Sequence, residues 1–376
     1  MSKDTKIRKG LDGVFVDVTK ISKVMPETNS LTYRGYAVQD LCENCCFEEV
    51  AYLLWNGQLP NRKHLRDFRK DERARRHLSR DHLGVIKRFP KKSHPMDTIR
   101  TSVSYLGTKE IAWGGEPSEN DLNRSMDLLA KIPTMIATDY RYRKGKRRVP
   151  PRSALSISEN FLYMCFGKVP PRQVVKAFDV SLILYAEHSF NASTFAARVV
   201  TSTMSDIYSA TTAGIGALKG PLHGGANEAV MNMLLDIGSV ENAENWLNEA
   251  FLKKRVVMGF GHRVYKWGDS RVPTMRKCLE DLARWKNDRK WLEIEDVLEE
   301  VMLRKKKIHP NLDYPAGPAY YMMGFDIDMF TPIFVMSRIT GWAAHYIEQN
   351  TDNRLIRPLS TYTGVKQRKV KPLNKR

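Results

Sequence analysis

The sequence predicts an all-α fold. Apolar residues recur at helical spacing through most of the 376-residue chain, convincing strand runs are few, and no internal repeat is present. With 42% hydrophobic and 27% charged residues the chain is typical of a globular protein, and its length allows two domains. Because no Gly/Ser-rich linker divides the chain, we expect any second domain to be inserted within the first.

The first part of the chain combines one extended segment with helices. Valine and phenylalanine side chains cluster over residues 10–21, which favours a short extended piece. Arg34 lies in a loop-like stretch and is expected in a glycine turn. Apolar residues at helical spacing predict helices over 38–41 and 47–55, and a charged helix continues from Leu65 onward.

Helices dominate the middle and the end of the chain. Proline in the first turn suits a helix that starts after His94, and Pro133 predicts a kink. Pro150 and Pro151 mark a break, and residues 310–318 are rich in proline. The remaining segments read as helical are 122–142, 160–166, 174–187, 193–209, 229–237, 243–254, 256–269, 275–285, 291–307 and 332–348.

The strong positive charge leaves three classes of partner open. A formal charge of +19 is compatible with nucleic acid, an anionic membrane surface or acidic substrates. The basic residues are spread over predicted helix faces, and aromatic residues are not interleaved with them as in a nucleic-acid module. We therefore favour a solvated surface that steers anions over a polynucleotide site, with the basic run 366–371 as a surface tail.

The few cysteines and the lack of a recognisable targeting signal favour a cytoplasmic protein. The five cysteines are few and odd in number, and Cys42 and Cys45, spaced like half a zinc site, have no second pair of ligands after them. We therefore expect reduced, structural cysteines. No apolar run approaches the roughly 20 residues of a membrane span, and residues 1–9 contain no apolar leader core.

The most informative turn of the chain covers residues 220–228, with the sequence GPLHGGANE. Its glycines allow the backbone to approach a ligand closely, and the apolar residues that follow predict a helix. His223 therefore lies near a helix N-terminus, where free N–H groups and the helix dipole favour negative charge. Taken alone, the turn is equally compatible with a helix entry that carries an incidental histidine.

Two later segments strengthen the functional interpretation. Residues 256–266, VVMGFGHRVYK, again place glycines beside a histidine, His262, and residues 311–317, NLDYPAG, hold Asp313 among residues that restrict the backbone. An aspartate that is desolvated or held close to a proton can remove that proton from a carbon acid. A neutral histidine can donate to the developing enolate oxygen. A second histidine can polarise a carbonyl, and arginines can bind carboxylates.

The same two histidines and the aspartate can in principle ligate zinc. The spacing of a helical H-E-x-x-H zinc motif is missing from the sequence, and the arginines around these residues oppose a bound cation. We therefore expect no metal at this site.

Together the three segments resemble the signature segments of the citrate synthase family, here in the form GPLHGGANE, GFGHRVYK and PNLDYPAG. Residues 185–193, YAEHSFNAS, and residues 337–342, SRITGW, match two further segments of that family. The resemblance runs in order from about Gly10 to Thr363. It is closest to the short bacterial type named citrate or 2-methylcitrate synthase.

The resemblance implies the roles of three catalytic residues. Asp313 matches the family's catalytic aspartate and is expected to remove a proton from the carbon next to the acyl-CoA carbonyl. His223 is expected to hydrogen-bond to the resulting enol or enolate, and His262 to polarise the ketone of oxaloacetate. Carbon–carbon bond formation followed by thioester hydrolysis gives citrate or 2-methylcitrate and free CoA. No cofactor beyond the CoA thioester is expected.

The resemblance also implies the substrate-binding residues. The family's oxaloacetate ligands match His188, Arg271, Arg338 and Arg357, the last of which reaches in from the partner subunit. By sequence alone His188 is also compatible with a structural hydrogen bond and Arg357 with an ordinary surface position, whereas a carboxylate ligand explains a charge at Arg338 in an apolar helix. Phe334 matches an aromatic residue of the family's site. The CoA-binding backbone corresponds to Val256, Val257, Met258 and Gly259.

The family's architecture implies two domains and two subunits. Residues 1–218 and 319–376 are expected to form a large helical domain, into which residues 219–318 insert a smaller helical domain with the three catalytic residues. Closure of the two domains is expected to exclude water until the condensation is complete. A homodimer is expected, with neither nucleic acid nor membrane as a partner.

Two functional alternatives remain open, together with the choice of substrate. A basic helical protein that binds nucleic acid predicts steeply salt-dependent binding of polynucleotides. A catalytically impaired homologue is opposed by the intact motifs. The motifs leave open the choice between acetyl-CoA and propionyl-CoA, because one methylene in an apolar pocket is worth only about 1–3 kcal/mol.

Overall fold

The computed structural model describes residues 7–109, 117–265 and 267–376. The expectation that the N-terminus carries no apolar leader core falls largely on residues 1–6, outside the described part, and Lys266 of the second signature segment also lies outside it. Among the helices that are described, none is both long enough and apolar enough to cross a membrane.

Helices form most of the described chain, and the predicted all-α fold class is confirmed. Their bounds are α1 Val38–Asn44, α2 Phe47–Asn56, α3 Arg62–Arg75, α4 Arg80–Arg88, α5 Pro95–Thr108, α6 Pro117–Arg143, α7 Ile157–Phe166, α8 Arg172–Tyr185, α9 Ala192–Thr201, α10 Ile207–Leu218, α11 Ala226–Ile237, α12 Val240–Leu252, α13 Val272–Lys286, α14 Lys290–Lys306, α15 Asp313–Met323 and α16 Phe330–Thr351. A small antiparallel sheet precedes them, in the order β1 Ser22–Met25, β2 Ser30–Tyr33 and β3 Tyr36–Ala37.

The sheet lies where the sequence analysis expected other structure. Residues 14–21 contain no regular element, β1 begins only at Ser22, and β2 occupies a stretch expected as a loop. On β2, Leu31 and Tyr33 are fully buried on one face. This alternation covers only four residues, which is too short to distinguish a strand from a loop in the sequence.

Local signals placed several turns and helix ends correctly. Arg34 has a φ of 48° in the predicted glycine turn. Helix α2 ends at Gly57, whose φ of 81° makes the left-handed C-cap that glycine favours. Helix α5 begins at Pro95, and the Nδ1 atom of the N-cap residue His94 accepts a hydrogen bond from the backbone N–H of Met96.

Two predicted helices were wrong, and one helix begins in the proline-rich stretch. The single helix expected over 193–209 is two helices, α9 and α10, because Met204 turns the backbone with a φ of 64°. The described residues of the stretch 256–269 form no helix, since three glycines at positive φ interrupt it. The proline-rich stretch 310–318 contains the start of α15, where Pro315 lies in the first turn and its missing N–H costs no helical hydrogen bond.

Helix α16 is the central helix of the fold. Every residue from Phe330 to Tyr346 is buried, including Arg338. A helix that is apolar on all sides packs in the core, and α16 contacts α2, α6, α8, α9 and α10. Helices α11 and α13 both pack on α15, while α13 also packs on α8 and α11 on α16. This packing brings together the helix ends that carry the predicted site residues.

Candidate active site

Asp313 is the first residue of α15, and its largely buried carboxylate is held by a tyrosine that the sequence analysis did not select. The hydroxyl of Tyr185, at the end of α8, donates to Asp313 Oδ1 at 2.6 Å, and the backbone N–H of Asp313 donates to Asn311 Oδ1. Burial raises the pKa of Asp313 to about 6, although the Tyr185 hydrogen bond and nearby Arg271 lower it. The carboxylate is therefore ionised at neutral pH yet more basic than one in water.

His223 lies in the turn that leads into α11 and is neutral at physiological pH. Burial, assisted by the charge of Arg338, lowers the pKa of His223 to about 3. Its Nε2 atom is 2.8 Å from the hydroxyl of Ser193. The Phe334 ring lies 6.1 Å away in an edge-on arrangement. The expected placement of this histidine beside a helix N-terminus is confirmed.

Ser193 decides which nitrogen of His223 carries the proton. The Ser193 hydroxyl accepts a hydrogen bond from Trp342 Nε1 and lies 2.8 Å from Asn191 Oδ1, an atom that only accepts. The single Ser193 hydrogen can therefore serve Asn191 or His223 Nε2, but not both. When it serves His223, the imidazole proton is on Nδ1 and remains free for a ligand.

His262 has a fixed tautomer. Its Nδ1 atom accepts hydrogen bonds from the backbone N–H groups of Val264 at 3.0 Å and Tyr265 at 3.1 Å. Burial and the neighbouring charge of Arg271 lower the pKa of His262 to about 4, so the ring is neutral and its proton is on Nε2. His262 thus presents one N–H donor that the protein backbone does not use.

His188 lies beside His262 and is almost fully buried. The two ring centroids are 5.1 Å apart. Burial, Arg271 and His262 hold the pKa of His188 well below its usual value, so this ring is also neutral. Its Nε2 atom is buried and has no hydrogen-bond partner within the described part of the chain. A buried polar atom of this kind is usually satisfied by a ligand or by water.

Arg271 and Arg338 are both buried, but their charges are matched differently. Arg271 donates from Nε and Nη2 to the two oxygens of Asp269, at 2.9 and 2.7 Å. Asp269 also accepts a hydrogen bond from the backbone N–H of Leu312. Burial raises the pKa of Asp269, but Arg271 more than offsets this effect and holds the pKa well below its usual value.

Arg338 donates from Nε to the carbonyl of Tyr185 at 2.7 Å, and its buried Nη1 has no partner among the described residues. Burial lowers the pKa of Arg338 to about 10, and an unused buried guanidinium donor suits a carboxylate ligand.

The ring of Phe334 contacts three other side chains of the site. Its ring lies 4.3 Å from the ring of Tyr185, next to Asp313, and is in edge contact with His223. The guanidinium of Arg338 lies 4.7 Å above the same ring. One aromatic side chain of α16 therefore contacts the tyrosine that holds Asp313, the turn histidine and the buried arginine.

Glycines allow the close packing of the three signature segments. A Cβ atom at Gly224 would lie 2.5 Å from the side chain of Leu218, and one at Gly317 would lie 2.9 Å from the carbonyl of Asn227. Gly259 has a φ of 82°, and a Cβ there would lie 2.8 Å from Val230. Real Cβ atoms do not approach neighbours this closely, so these positions need glycine for α11, α15 and the segment before His262 to meet.

The segment 256–259 borders a groove on the surface. Val256 is exposed, whereas Val257 and Gly259 are buried and Met258 is half-buried. The groove has a volume of about 350 Å³. Its lining combines apolar and basic side chains: Phe251, Lys254, Arg255, Val256, Val257, Phe260, Met302, Lys306 and Ile308.

Arg357 is not brought into this constellation. It is exposed on the extended segment that follows α16, which contains no regular structure from Asn353 to Pro372. No group of three or more His, Cys, Asp or Glu side chains suited to a metal ion occurs in the part of the chain that the structure describes.

Sequence reasoning missed three residues of the site, namely Tyr185, Ser193 and Asp269. Tyr185 and Ser193 are the first and last residues of the 185–193 segment, and Asp269 is two residues before Arg271. The signal was therefore present as proximity to predicted ligands, but the sequence does not show which hydroxyl or carboxylate faces which partner.

Comparisons with known proteins extend over nearly the whole chain. Residues 10–359 match the family model described as citrate synthase, C-terminal domain. The chain is 57% identical over 369 residues to a citrate synthase from Mycolicibacterium smegmatis, with 98% of both chains covered. It is also 57% identical to a 2-methylcitrate synthase from Mycobacterium tuberculosis, covering 96% of this chain and 92% of that protein.

Solved structures give the same result. A citrate synthase from Thermotoga maritima superposes with a TM-score of 0.90 at 38% identity, covering 98% of this chain and 99% of that one. A citrate synthase from Thermoplasma acidophilum, solved as a ternary complex with carboxymethyl coenzyme A and oxaloacetate, superposes with a TM-score of 0.94 at 32% identity. That match covers 99% of this chain and 100% of the other.

Proposed function

Because the chain belongs to the citrate synthase family, we propose that its condensation of oxaloacetate with acetyl-CoA or propionyl-CoA is carried out by Asp313, His223 and His262. The relatives give no support to the alternatives of a nucleic-acid-binding protein or an impaired homologue. The observation that carries the catalytic proposal is the protonation pattern: one carboxylate with a pKa of about 6 accompanies two histidines that stay neutral.

Asp313 is the base of the proposed mechanism. Its ionised carboxylate removes a proton from the carbon next to the thioester carbonyl, and the raised pKa of Asp313 makes it a better acceptor than an exposed aspartate. His223 donates a hydrogen bond from its Nδ1–H to the enolate oxygen, while the Ser193 hydroxyl donates a hydrogen bond to Nε2. A neutral imidazole suits this role because it stabilises the enolate without first protonating Asp313.

His262 activates the second substrate. Its Nε2–H donates to the ketone oxygen of oxaloacetate, which makes the ketone carbon more electrophilic. The enolate carbon attacks that carbon, and the new alkoxide takes the Nε2 proton of His262. The proton that Asp313 removed from the thioester then replaces it on Nε2, which leaves Asp313 ionised and His262 neutral again. Water then hydrolyses the thioester, which releases CoA and leaves citrate from acetyl-CoA or 2-methylcitrate from propionyl-CoA. A base and two donors suffice, so we propose no cofactor beyond the CoA thioester.

The oxaloacetate carboxylates and the CoA nucleotide are bound by separate groups. We assign the carboxylates to His188, Arg271 and Arg338, since His188 and Arg338 have buried nitrogens that no described residue uses. We assign the CoA moiety to the segment 256–259, because the adjoining groove offers apolar surface beside three cations. The overall charge of +19 favours the approach of both polyanions.

The proposed enzyme is a homodimer in which Arg357 completes the partner's site. Leu359 and Tyr362 on the same extended segment are 90% and 76% exposed, so the tail offers apolar surface for a second copy. We further propose that residues 219–318 form the smaller domain, since α11 to α14 lie in this range and pack on one another or on α15. All five cysteines are unpaired, which suits the proposed cytoplasmic location.

A thiol-release assay tests the proposed reaction. We expect free CoA thiol when the protein is mixed with oxaloacetate and either acyl-CoA, and no release when oxaloacetate is omitted. The ratio of kcat/KM for acetyl-CoA and propionyl-CoA then identifies the preferred thioester. One methylene changes such a ratio by about 10- to 200-fold. Absence of thiol release with both thioesters, together with salt-dependent polynucleotide binding, would overturn the proposal.

A further inference from the structure

A buried hydrogen-bond network surrounds the segment that carries His188, and the proposed mechanism uses none of it. Glu187 Oε1 accepts hydrogen bonds from Ser22 Oγ and His345 Nε2, both at 2.9 Å. His345 Nδ1 lies 3.1 Å from Nη1 of Arg198. The side chains of Glu187 and His345 are completely buried, so solvent does not maintain these contacts.

The network has one consistent arrangement of protons. Arginine only donates, so His345 Nδ1 must accept from Arg198 and the imidazole proton must be on Nε2, facing Glu187. Burial raises the pKa of Glu187, but His345, Arg338 and Ser22 more than offset this effect and hold the pKa below its usual value. Glu187 is therefore ionised. The pair is therefore a neutral histidine that donates to a buried carboxylate, and a charge-assisted bond of this kind is stronger than a neutral one.

Both neighbours of His188 are fixed by this network and by the sheet. Ser189 has a φ of 50°, a left-handed conformation that costs energy for a residue other than glycine. Its backbone N–H donates at 2.9 Å to the Ser22 hydroxyl, whose hydrogen goes to Glu187. On the other side, the hydroxyl of Tyr33 donates to the backbone carbonyl of Glu187 at 2.9 Å.

Arg198 and Gly341 anchor the network to the rest of the fold. Arg198 pairs with Glu348 at 3.0 Å and with Asp17 at 2.9 Å, so its guanidinium is held in place. A Cβ at Gly341 would lie 2.4 Å from Glu187 Oε2, which means that the carboxylate rests directly on α16, three residues beyond Arg338. Glu187 therefore connects the His188 segment to the helix that carries the buried arginine.

We propose that Glu187 and His345 are positioning residues that hold His188 in the orientation required to bind oxaloacetate. The inference rests on the proposed function, because it takes His188 as an oxaloacetate ligand. A strained residue beside a ligand histidine keeps its conformation only when its surroundings impose it, and the Ser22–Glu187–His345 chain imposes it here. Neither positioning residue touches the reacting atoms.

Two substitutions at His345 test this proposal by binding of oxaloacetate. His345→Leu removes the N–H that Glu187 uses, and we expect oxaloacetate affinity to fall about tenfold or more by calorimetry. His345→Gln keeps an N–H in reach of Glu187, and we expect a loss below about threefold. The KM for acyl-CoA should stay at the wild-type value in both variants, because the network does not reach the groove beside residues 256–259.

His82→Leu is the matched control. His82 is also buried and lies in α4 against Tyr105, among elements that carry none of the proposed ligands. We expect this variant to lower the Tm without changing oxaloacetate affinity. If His345→Leu lowers the Tm in the same way and binds oxaloacetate like wild type, His345 is structural only and the proposal is overturned.

Ser22→Ala keeps the proposal testable if His345→Leu does not fold. It removes the acceptor of the Ser189 N–H, and we expect oxaloacetate affinity to fall at least about threefold. Unchanged affinity in this variant would also overturn the inference. A wild-type protein that binds no oxaloacetate and releases no thiol contradicts the proposed function itself, whereas an active wild type with unaffected variants contradicts the positioning role alone.

Discussion

The two proposed catalytic histidines differ in how firmly their protons are placed. Two backbone N–H groups fix the His262 tautomer, so its Nε2–H donor is set before any substrate binds. The His223 tautomer depends on whether the Ser193 hydrogen points to Asn191 or to the imidazole. His262 is therefore a preorganised donor, while His223 becomes one only when Ser193 donates to it.

The identity of the site residues was predictable from the sequence, but their pKa values and hydrogen-bond partners were not. The histidines and Asp313 stand in glycine- and proline-rich segments, which is a local signal. The pKa of Asp313 depends instead on burial and on the Tyr185 hydroxyl, which is 128 residues away in the chain. No spacing rule predicts contacts of that kind, because they arise from tertiary packing.

The pH profile tests the role assigned to Tyr185. Because Asp313 must be ionised to act as the base, kcat/KM should fall as the pH drops below about 6, while both histidines stay neutral across this range. Tyr185→Phe removes a hydrogen bond that lowers the pKa of Asp313, so the acid limb should move to higher pH. An acid limb in the same position as in wild type would show that Tyr185 does not tune the base.

At the scale of elements, the site depends on how closely α15 approaches α11. Asp313 begins one helix and His223 directly precedes the other. Gly317 lets the two backbones approach, since a Cβ there would lie 2.9 Å from the carbonyl of Asn227. The proline-rich sequence around Asp313 predicted a restricted backbone, and Pro315 in the first turn of α15 leaves the helix intact.

Gly317→Ala is expected to separate the two helices. The backbone carbonyl of Asn227 cannot rotate away like a flexible side chain, so we expect destabilisation of about 1–3 kcal/mol in denaturant unfolding and a reduced kcat. Gly216→Ala is the matched control: Gly216 lies in α10 with open space at its Cβ, and alanine there should be neutral or stabilising by up to about 1 kcal/mol. Equal stability and activity of the two variants would refute the packing argument.

In the whole molecule, Arg357 is the one proposed oxaloacetate ligand that lies away from the site. The extended segment after α16 exposes Arg357 together with large apolar side chains, whereas the other proposed oxaloacetate ligands, His188, Arg271 and Arg338, are buried. Arg271 is already paired with Asp269, so of these two buried arginines it is Arg338 that has a donor no described residue uses. A dianionic substrate therefore gains from a further cation supplied by a second subunit.

Mixed dimers test that exchange directly. Arg357→Ala and Asp313→Asn are each expected to be inactive or nearly so. In a dimer with one subunit of each kind, the Arg357→Ala subunit keeps Asp313 and receives Arg357 from its partner. Random co-assembly should restore about a quarter of wild-type activity, because half of the dimers regain one of two sites. Failure to restore activity in dimers shown to be mixed would argue that Arg357 acts within its own subunit or not at all.

Turnover of Asp313→Asn, measured beside oxaloacetate binding, tests whether Asp313 is the base. Asparagine keeps the acceptor oxygen for Tyr185 but cannot take a proton, so oxaloacetate affinity should stay close to wild type. The kcat for thiol release should fall by at least about 100-fold, the scale of general base catalysis. Wild-type turnover in a variant that binds oxaloacetate normally would show that Asp313 is not the base.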